Sequence, residues 1–427
     1  MLQYILALLT ILTFGYFLFR KPTLETYVVF IAFALPFIDT KILPLAYGLV
    51  KVFDVITVVS LVFFFKDFIS FRASQKGKIY LVLVVLFWVC LVLSKMNSAY
   101  PLNNLHFIYQ PFTIFIFARF LLIYLEEEPE AFYKFISAFQ LSVIVLAGIV
   151  FLQLLVGPFS YSADISGNIV NEDTGLIRYP GLFQDSQICG QFLAMGSFSL
   201  LYFKPDIELK KKRLYLLFFA FITIAIILAA SRSALGGFGI GVILLLLFQN
   251  TRTKLIVGSL GIALGLLVFI IQPKEGVFSR TDSISEDYLF RKSIWEETGE
   301  IIDQYPLLGI GFGNFQKYIK IYKQDLYLEK SGGEFYYFNQ PENGYLKILV
   351  EQGYLGFSIF LTLMVVPILK GILNAKVKKE IMYSIAAVLA WAVAFNTNYS
   401  LLDYRILLAV ATFVCLTIFN NQPKTAV

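Results

Sequence analysis

A carboxylate and an amide stand together just before a long apolar stretch in the C-terminal third of the chain. Glu342 and Asn343 lie in "PENGYLKILVEQGYLG" (341–356). A glutamate can act as a general base that takes the proton of an attacking hydroxyl. The structural alternative is a carboxylate favoured by a helix dipole, beside an N-cap at Asn343. The two roles are compatible, because a base held at a helix end is well oriented.

Four arginines outside the apolar stretches have the chemistry to bind phosphate. They are Arg178, Arg232, Arg280 and Arg291. The guanidinium group stays charged, and its planar fork matches two phosphate oxygens. Arg232 is the strongest candidate, because a charge between two apolar stretches is costly unless it faces a cavity or a partner.

Each arginine also has a structural alternative. Arg232 in a tight helical hairpin could reach a lipid phosphate. Arg291 could snorkel or form a simple pair with Asp287, one helical turn before it. Arg280 is the weakest of the four, since solvation in a loop explains it equally well.

The composition indicates that membrane-spanning helices position these residues. Hydrophobic residues make up 58% of the chain and charged residues only 15%. Apolar runs recur at the length of about 18 residues that a helix needs to cross a hydrocarbon core. We therefore predict one domain over residues 1–427, an all-α polytopic membrane protein with about 12–13 transmembrane helices. The predicted spans are 2–19, 24–38, 48–65, 79–95, 105–124, 136–156, 188–203, 214–230, 234–249, 255–272, 345–369, 381–397 and 401–419.

The distribution of Lys and Arg predicts which loops face the cytoplasm. Short cytoplasmic loops collect basic residues. Alternation of the spans then places one long loop, residues 273–343, on the outside together with the other segments that carry the candidate residues. The loops predicted to be cytoplasmic are 66–78, 204–213, 250–254 and 370–380.

The long outside loop contains an amphipathic helix over residues 284–303. At about 100° per residue its apolar side chains fall on one half of the helix and most of its charged side chains on the other. Arg291 is the exception, because it falls within the apolar half. A helix that hides its apolar face against the membrane or the bundle therefore turns Arg291 toward the protein. Pro306 then ends the helix, and the glycines of "YPLLGIGFGNF" make a turn.

The sequence offers little for metals or nucleotides. It has one histidine, His106, and three cysteines within or beside apolar runs. Those residues suggest neither a His-based metal cluster nor a disulfide framework, so we predict no metal site and no cofactor. "GIGFGN" matches a dinucleotide loop in letters only, because no strand precedes it. The net charge of +6 is modest, and we predict no nucleic-acid partner.

Four stretches together resemble the O-antigen ligase/polymerase family of bacterial cell-envelope membrane enzymes. They occur in the family's usual order, span roughly residues 140–370, and accompany one long outside loop placed late between helices. The architecture also resembles that of GT-C-type glycosyltransferases. The stretches are "RYPGLFQDSQICGQFLA" (178–194), "ILAASRSALGG" (227–237), "RKSIWEETGEIIDQYPLLGIGFGNF" (291–315) and "PENGYLKILVEQGYLG" (341–356).

The resemblance implies an enzyme of the cytoplasmic (inner) membrane whose active site faces the periplasm or exterior. Such enzymes transfer a glycan from undecaprenyl pyrophosphate to an acceptor hydroxyl. The implied partners are undecaprenyl-pyrophosphate-linked glycans as donor and acceptor, membrane lipids and, as a further candidate, a chain-length regulator protein. Glu342 is the implied base. The implied residues for the pyrophosphate and the sugar are Arg178, Arg232, Arg280, Arg291, Asn343 and Tyr345.

One departure from the ligase pattern favours a polymerase. Ligases of the family carry a histidine before the asparagine of the last motif, and this chain carries Glu342 there. We therefore predict polymerisation of repeat units into O-antigen or a related surface polysaccharide. An O-antigen ligase or a protein O-oligosaccharyltransferase of the same fold is the alternative. A lipid-linked sugar flippase is the alternative of another class, although the chain shows no convincing internal repeat.

Overall fold

The computed structural model describes residues 2–45, 48–70, 75–127, 130–157, 159, 177–204, 206–248, 251, 284–323, 327–330, 334–337, 340–374 and 380–420. The N-terminal elements are α1 (Leu2–Arg20), α2 (Leu24–Ala34), β1 (Lys41–Leu45), β2 (Gly48–Lys51), α3 (Val52–Phe63), α4 (Phe65–Ile69), α5 (Gln75–Met96), α6 (His106–Glu127) and α7 (Ala131–Val156). Next come α8 (Ser186–Ser197), a 3-10 helix (Phe198–Leu201), α9 (Leu209–Leu228) and α10 (Arg232–Leu247). The C-terminal elements are α11 (Ile284–Gln304), α12 (Phe315–Tyr322), β3 (Tyr327–Lys330), β4 (Glu334–Tyr337), α13 (Gly344–Asn374), α14 (Ile381–Phe395) and α15 (Tyr404–Asn420).

The helices confirm the predicted all-α polytopic membrane class. Within the described residues, five helices are long and apolar enough to cross a membrane, and five further apolar helices are shorter. In lipid only structures that satisfy their own backbone hydrogen bonds can span, which suits this helical chain. The total of 12–13 spans stays a prediction, because the predicted span 255–272 lies outside the described residues. The five long segments are Gln3–Arg20, Gly77–Met96, His106–Glu126, Ala131–Val156 and Gly344–Leu373.

Two predicted spans near the N-terminus are clearly shorter as helices in the structure. The span 24–38 ends as a helix at Ala34, because Pro36 follows and has no N–H to donate to a helical carbonyl. The span 48–65 begins as β2, which pairs antiparallel with β1 in a hairpin, and only then becomes α3. Pro44 in β1 is compatible with a two-stranded hairpin, where each strand has a free edge.

The chain divides into two compact units. Unit 1 comprises residues 1–139, 289–370 and 395–427, and unit 2 comprises residues 140–288 and 371–394. The prediction of one domain over residues 1–427 stays a prediction. The described candidate residues of unit 1 are Arg291, Glu342, Asn343 and Tyr345, and those of unit 2 are Arg178 and Arg232.

In unit 1, α11 is the amphipathic helix that the sequence predicts within the loop 273–343. Ile294 and Ile301 are fully buried in one apolar cluster with Phe315 of α12 and Val350 of α13. The charged side chains on the other half of α11 are mostly exposed. From residue 291 onward, the apolar face of α11 is therefore packed against protein. Residues 273–283 of the predicted loop lie outside the described residues.

The first part of α13 ends at a break. Gly353 has φ 65 and ψ −174 inside the helix. The break leaves backbone carbonyls without helical partners, and the loop after α11 supplies the donors. The amide of Ile310 donates to the carbonyl of Val350, and the amide of Gly311 to that of Glu351, each at 3.0 Å. Broken helices at membrane depth need such partners.

The same loop also satisfies the other side of the break. The amide of Tyr354 donates to the carbonyl of Pro306 at 2.7 Å. Only glycine permits this crossing, because a Cβ at Gly353 would lie 2.3 Å from the carbonyl carbon of Leu307. A Cβ at Gly309 (φ 66) would likewise lie only 2.5 Å from the backbone of Glu351 in α13. The predicted glycine turn thus forms backbone hydrogen bonds from the loop 305–311 to both sides of the break in α13. We call this set of bonds the clasp.

Candidate active site

Asn343 caps α13 and ties it to a neighbouring loop of unit 1. Its Oδ1 atom accepts from the amides of Tyr345 at 2.9 Å and Leu346 at 3.1 Å. Its Nδ2 atom donates to Oδ1 of Asn396 at 3.0 Å. The amides at a helix start have no helical acceptor, and an asparagine at the N-cap position supplies one. The sequence-based expectation of a cap at Asn343 therefore agrees with the structure.

Glu342 adopts a backbone conformation that is unusual for a residue with a Cβ. Its φ is 50, one of three positive values outside glycine in the described chain. Left-handed backbone costs an L-residue roughly 1–2 kcal/mol and tends to occur at functional sites. The strain persists only where the surroundings determine the conformation.

Arg291 lies beside Glu342. Nη2 of Arg291 is 3.9 Å from Oε2 of Glu342, and the two side chains are 32% and 25% exposed. Arg291 thus faces protein, as its position on the apolar half of α11 predicts. The alternative pair with Asp287 is not tested, since the side chain of Asp287 lies outside the described residues.

Two further hydrogen bonds hold the segment before Glu342. Nε1 of Trp295, one turn after Arg291 on α11, donates to the carbonyl of Pro341 at 2.9 Å. Nε2 of Gln340 donates to Oδ1 of Asn398 at 2.6 Å, and Oε1 of Gln340 accepts from the amide of Tyr399 at 3.0 Å. Residues 340–343 are therefore bonded to α11 on one side and to the loop after α14 on the other.

Tyr345 lies at the start of α13 with its ring partly buried. The ring contacts Phe395 edge to face, with the centroids 5.1 Å apart. Such aromatic pairs add about 0.5–1.5 kcal/mol beyond the burial of their area. Packing against Phe395 is therefore an observed role of Tyr345.

A buried ion pair lies one turn further along α13. Nζ of Lys347 is 3.3 Å from Oε1 of Glu351, with side chains 6% and 0% exposed. The same Oε1 accepts from the amide of Phe315 at 3.1 Å, at the start of α12. Lys347 also lies 5.3 Å from the ring centroid of Tyr399. Glu351 thus joins α13 to α12 and has a structural role.

Asn314 holds the glycine loop from the other side. Its Oδ1 atom accepts from Nζ of Lys95 at 2.9 Å, and Nζ of Lys95 also donates to the carbonyl of Phe312 at 2.8 Å. Its Nδ2 atom donates to Oγ of Ser98 at 3.1 Å. Asn314 and Lys95 are buried. The "GIGFGN" stretch is therefore a structural loop, in agreement with its lack of a preceding strand.

In unit 2, Arg178 is buried and lies on a segment held by α7 and α9. The amide of the next residue, Tyr179, donates to the carbonyl of Leu228 at 3.4 Å. Gln153 bonds Gly181 in both directions, donating to its carbonyl and accepting from its amide, each at 2.8 Å. The segment of Arg178 is thus fastened near the C-terminal end of α9.

Arg232 is the first residue of α10 and is exposed. Ser231 is the N-cap, and its Oγ atom accepts from the amide of Ala234 at 3.3 Å. Ala230 just before it has φ 52, the second unusual value. The segments of Arg178 and Arg232 therefore both lie near the C-terminal end of α9, because Tyr179 bonds to Leu228 and Arg232 follows Leu228 by four residues. Arg280 lies outside the described residues.

The structure brings predicted residues of one unit together. Within unit 1 it joins Arg291, Glu342 and the cap at Asn343. Trp295, Gln340 and the polar loop after α14 also belong to this arrangement, although no such role was predicted for them from the sequence. The spacing of Trp295 four residues after Arg291 could have indicated a shared helix face. Across the described residues, no group of three or more His, Cys, Asp or Glu side chains could hold a metal ion.

The comparison with known families covers a central part of the chain that includes Arg291 and Glu342. The Wzy_C family model, which describes O-antigen ligase, matches residues 217–361, from within α9 into α13. The matched stretch contains Arg232, Arg291 and Glu342 and excludes Arg178, so it is narrower than the predicted 140–370. No curated protein sequence matches the chain significantly.

The match, which covers about a third of the chain, and the apolar helices together indicate the class of the protein. A family of O-antigen ligase/polymerase type indicates glycan handling by a glycosyltransferase-like enzyme, with lipid-linked glycans as substrates. The apolar helices indicate a chain that crosses the membrane several times in contact with its lipids. The predicted resemblance is confirmed, and the match supports an O-antigen ligase/polymerase-type family for this multi-pass membrane protein.

Proposed function

We propose that this protein joins undecaprenyl-pyrophosphate-linked oligosaccharide repeat units into O-antigen or a related surface polysaccharide. The reaction is a metal-independent glycosyl transfer at the outer face of the cytoplasmic membrane. The observation that carries the proposal is the distance of 3.9 Å between Arg291 and Glu342, beside the N-terminus of α13. Transfer of a sugar from a diphosphate needs a base for the acceptor hydroxyl and a cation for the leaving diphosphate. A carboxylate and a guanidinium supply these two roles.

The proposed step needs one base and no acid. The oxygen of an acceptor hydroxyl attacks the anomeric carbon of the donor sugar. The bond from that carbon to the diphosphate oxygen breaks, and its electron pair leaves with undecaprenyl pyrophosphate. Glu342 accepts the proton of the hydroxyl, as a carboxylate does toward water in an inverting glycosidase. The diphosphate is a good leaving group, so no general acid is required.

Arg291 stabilises the charge that develops on the leaving diphosphate. Its pair with Glu342 is partly exposed, and exposed pairs contribute only about 0–1 kcal/mol. A charge-assisted hydrogen bond to phosphate is worth more, about 1.5–3 kcal/mol. The incoming diphosphate therefore displaces Glu342 from Arg291 at little cost, which leaves the carboxylate available for the acceptor hydroxyl.

The other predicted residues keep their proposed roles. Arg178 and Arg232 bind diphosphate, and the start of α10 favours an anion at Arg232 because a helix N-terminus is positive. Asn343 and Tyr345 position sugar hydroxyls. Arg280 is the weakest member of the set. We also propose that the chain acts as one domain and that a chain-length regulator is a partner.

The decisive experiment is the reaction of the purified protein with a defined undecaprenyl-pyrophosphate oligosaccharide, with product length and linkage measured. A ladder of polymers on undecaprenyl pyrophosphate supports the polymerase. Glycan attached to lipid A core or to a protein identifies the ligase or oligosaccharyltransferase, the second candidate because the family match is equally compatible with it. Movement of lipid-linked sugar across liposomes without joining identifies a flippase.

A further inference from the structure

One bond connects the helix that carries Arg291 to the backbone that carries Glu342. Nε1 of Trp295 on α11 donates to the carbonyl of Pro341 at 2.9 Å. Pro341 is buried and directly precedes Glu342. Trp295 follows Arg291 by four residues, which places the two side chains on the same face of α11, one turn apart.

This bond acts on a backbone that needs support. Glu342 has φ 50, and a residue with a Cβ holds such a conformation only when its surroundings over-determine it. On the C-terminal side the support comes from the cap at Asn343. On the N-terminal side it comes from Gln340, which bonds Asn398 and Tyr399, and from Trp295 at Pro341.

Among these supports, Trp295 has a distinct place. The bonds of Gln340 and Asn343 run to the loop after α14, so they orient residues 340–343 relative to that loop. The bond of Trp295 instead joins α11 to Pro341, so it sets the position of the Glu342 backbone relative to Arg291 on the same helix. A shift of about 1 Å between reacting groups can cost on the order of 100-fold in rate.

We infer that Trp295 is a positioning residue of the transfer reaction: its indole N–H, bonded to the carbonyl of Pro341, holds the backbone of Glu342 in place relative to α11 and Arg291. The inference rests on the proposed function of Glu342 as the base. Trp295 itself takes no proton and makes no bond to the reacting atoms. Its loss therefore lowers kcat and leaves KM for the lipid-linked donor nearly unchanged.

The test removes the indole N–H of Trp295 in the full-length protein. Trp295→Phe deletes the donor, and a benzothienylalanine at position 295 replaces the N–H by sulfur while keeping the bicyclic shape. Trp88→Phe is the matched control, because Nε1 of Trp88 also donates to a backbone carbonyl, that of Ile108, at 2.8 Å in unit 1. Initial rates with the undecaprenyl-pyrophosphate oligosaccharide and the thermal midpoint are measured for each variant.

We expect both changes at position 295 to lower kcat by about tenfold, which corresponds to the loss of one hydrogen bond, with KM within about twofold. Trp88→Phe keeps the wild-type kcat. A kcat within twofold of wild type for the benzothienyl variant would overturn the inference. So would a raised KM at constant kcat, which means direct substrate contact, or a loss of kcat that Trp88→Phe shares.

Glu342→Gln, assayed in parallel, distinguishes the role of Trp295 from the proposed role of Glu342 as the base. If Glu342→Gln is inactive while both changes at position 295 are harmless, the role of Trp295 is wrong and the base stands. If Glu342→Gln remains active, the proposed function itself fails, whatever the Trp295 variants do, and the inference falls with it.

Discussion

Nη2 of Arg291 lies 3.9 Å from Oε2 of Glu342, although α12 and the β3–β4 hairpin separate the two residues along the chain. Arg291 belongs to the amphipathic α11, and Glu342 directly precedes Asn343, the N-cap of α13. The indole of Trp295 and the clasp at Gly353 both fasten α11 and the loop after it to α13. Tertiary packing therefore creates this pair, and the role of each side chain can be tested separately.

Glu342→Gln removes the base and keeps the size of the side chain. We expect glycan joining to fall by at least about 100-fold, the contribution typical of a general base. The protein stays folded and inserted, because the cap of α13 belongs to Asn343. Glu296→Gln is the control, since Glu296 is exposed on α11 and forms an exposed ion pair with Lys292 at 3.6 Å. An active Glu342→Gln would show that this carboxylate is not the base.

Arg232→Lys keeps the charge and removes the planar fork. We expect a loss of at least about tenfold in turnover, because a point charge cannot make two parallel bonds to phosphate. Arg213→Lys, on the exposed first turn of α9, is the control and keeps its activity. Turnover near the wild-type value for Arg232→Lys would instead argue that Arg232 only reaches lipid phosphate.

Gly353→Ala tests the clasp between α13 and the loop 305–311. The new Cβ would lie 2.3 Å from the backbone of Leu307 at a φ of 65. We expect the free energy of unfolding to fall by about 2 kcal/mol or more, because the left-handed backbone and the overpacking both destabilise the fold. The thermal midpoint in detergent measures it.

Gly299→Ala is the control for that experiment. Gly299 lies inside α11, and a Cβ there would meet nothing within 4 Å. Alanine is the better helix former by about 1 kcal/mol, so this change leaves the midpoint unchanged or raises it. Equal midpoints for the two alanine variants would mean that the clasp does not form.

The buried pair of Lys347 and Glu351 makes a double-mutant cycle possible. Each single change, Lys347→Met or Glu351→Gln, removes one charge of the buried pair and leaves the other. We expect either change to lower the free energy of unfolding by about 3–5 kcal/mol. The double variant should cost clearly less than the sum, because no lone charge remains. Additive losses in the thermal midpoint would show that the two side chains act independently.

Chelation tests the metal-independent chemistry. If arginine side chains stabilise the diphosphate, then incubation with excess EDTA leaves the rate of glycan joining unchanged. The control is a metal-dependent sugar transferase assayed in the same buffer, which must lose its activity. A loss of joining that Mg²⁺ or Mn²⁺ restores would contradict the proposed step.

Several features followed from local sequence. The period of apolar residues predicted α11 within one residue of its end at Gln304. Asn343 was predicted as the N-cap of α13, and Pro306 follows the end of α11 at Gln304. Each of these depends on residues within about one helical turn of one another, where side-chain type decides the backbone.

Other features depend on residues far apart in the chain. The break at Gly353 exists because the backbone of Leu307 crosses it, and the predicted continuous span from 345 to 369 did not anticipate it. The bond from Trp295 to Pro341 and the left-handed backbone of Glu342 had no signal in the sequence beyond helix spacing.

By itself, the sequence determined that the chain forms apolar helices, because a backbone in lipid must satisfy its own hydrogen bonds and long apolar runs can do so only as helices. It also determined which side chains have the chemistry of a base and of phosphate binding. Only the tertiary structure decided that Arg291, Trp295 and Glu342 meet at the start of α13. Their meeting depends on how α11 packs against α13 and on a glycine crossing between the two, and local residue preferences do not encode such packing.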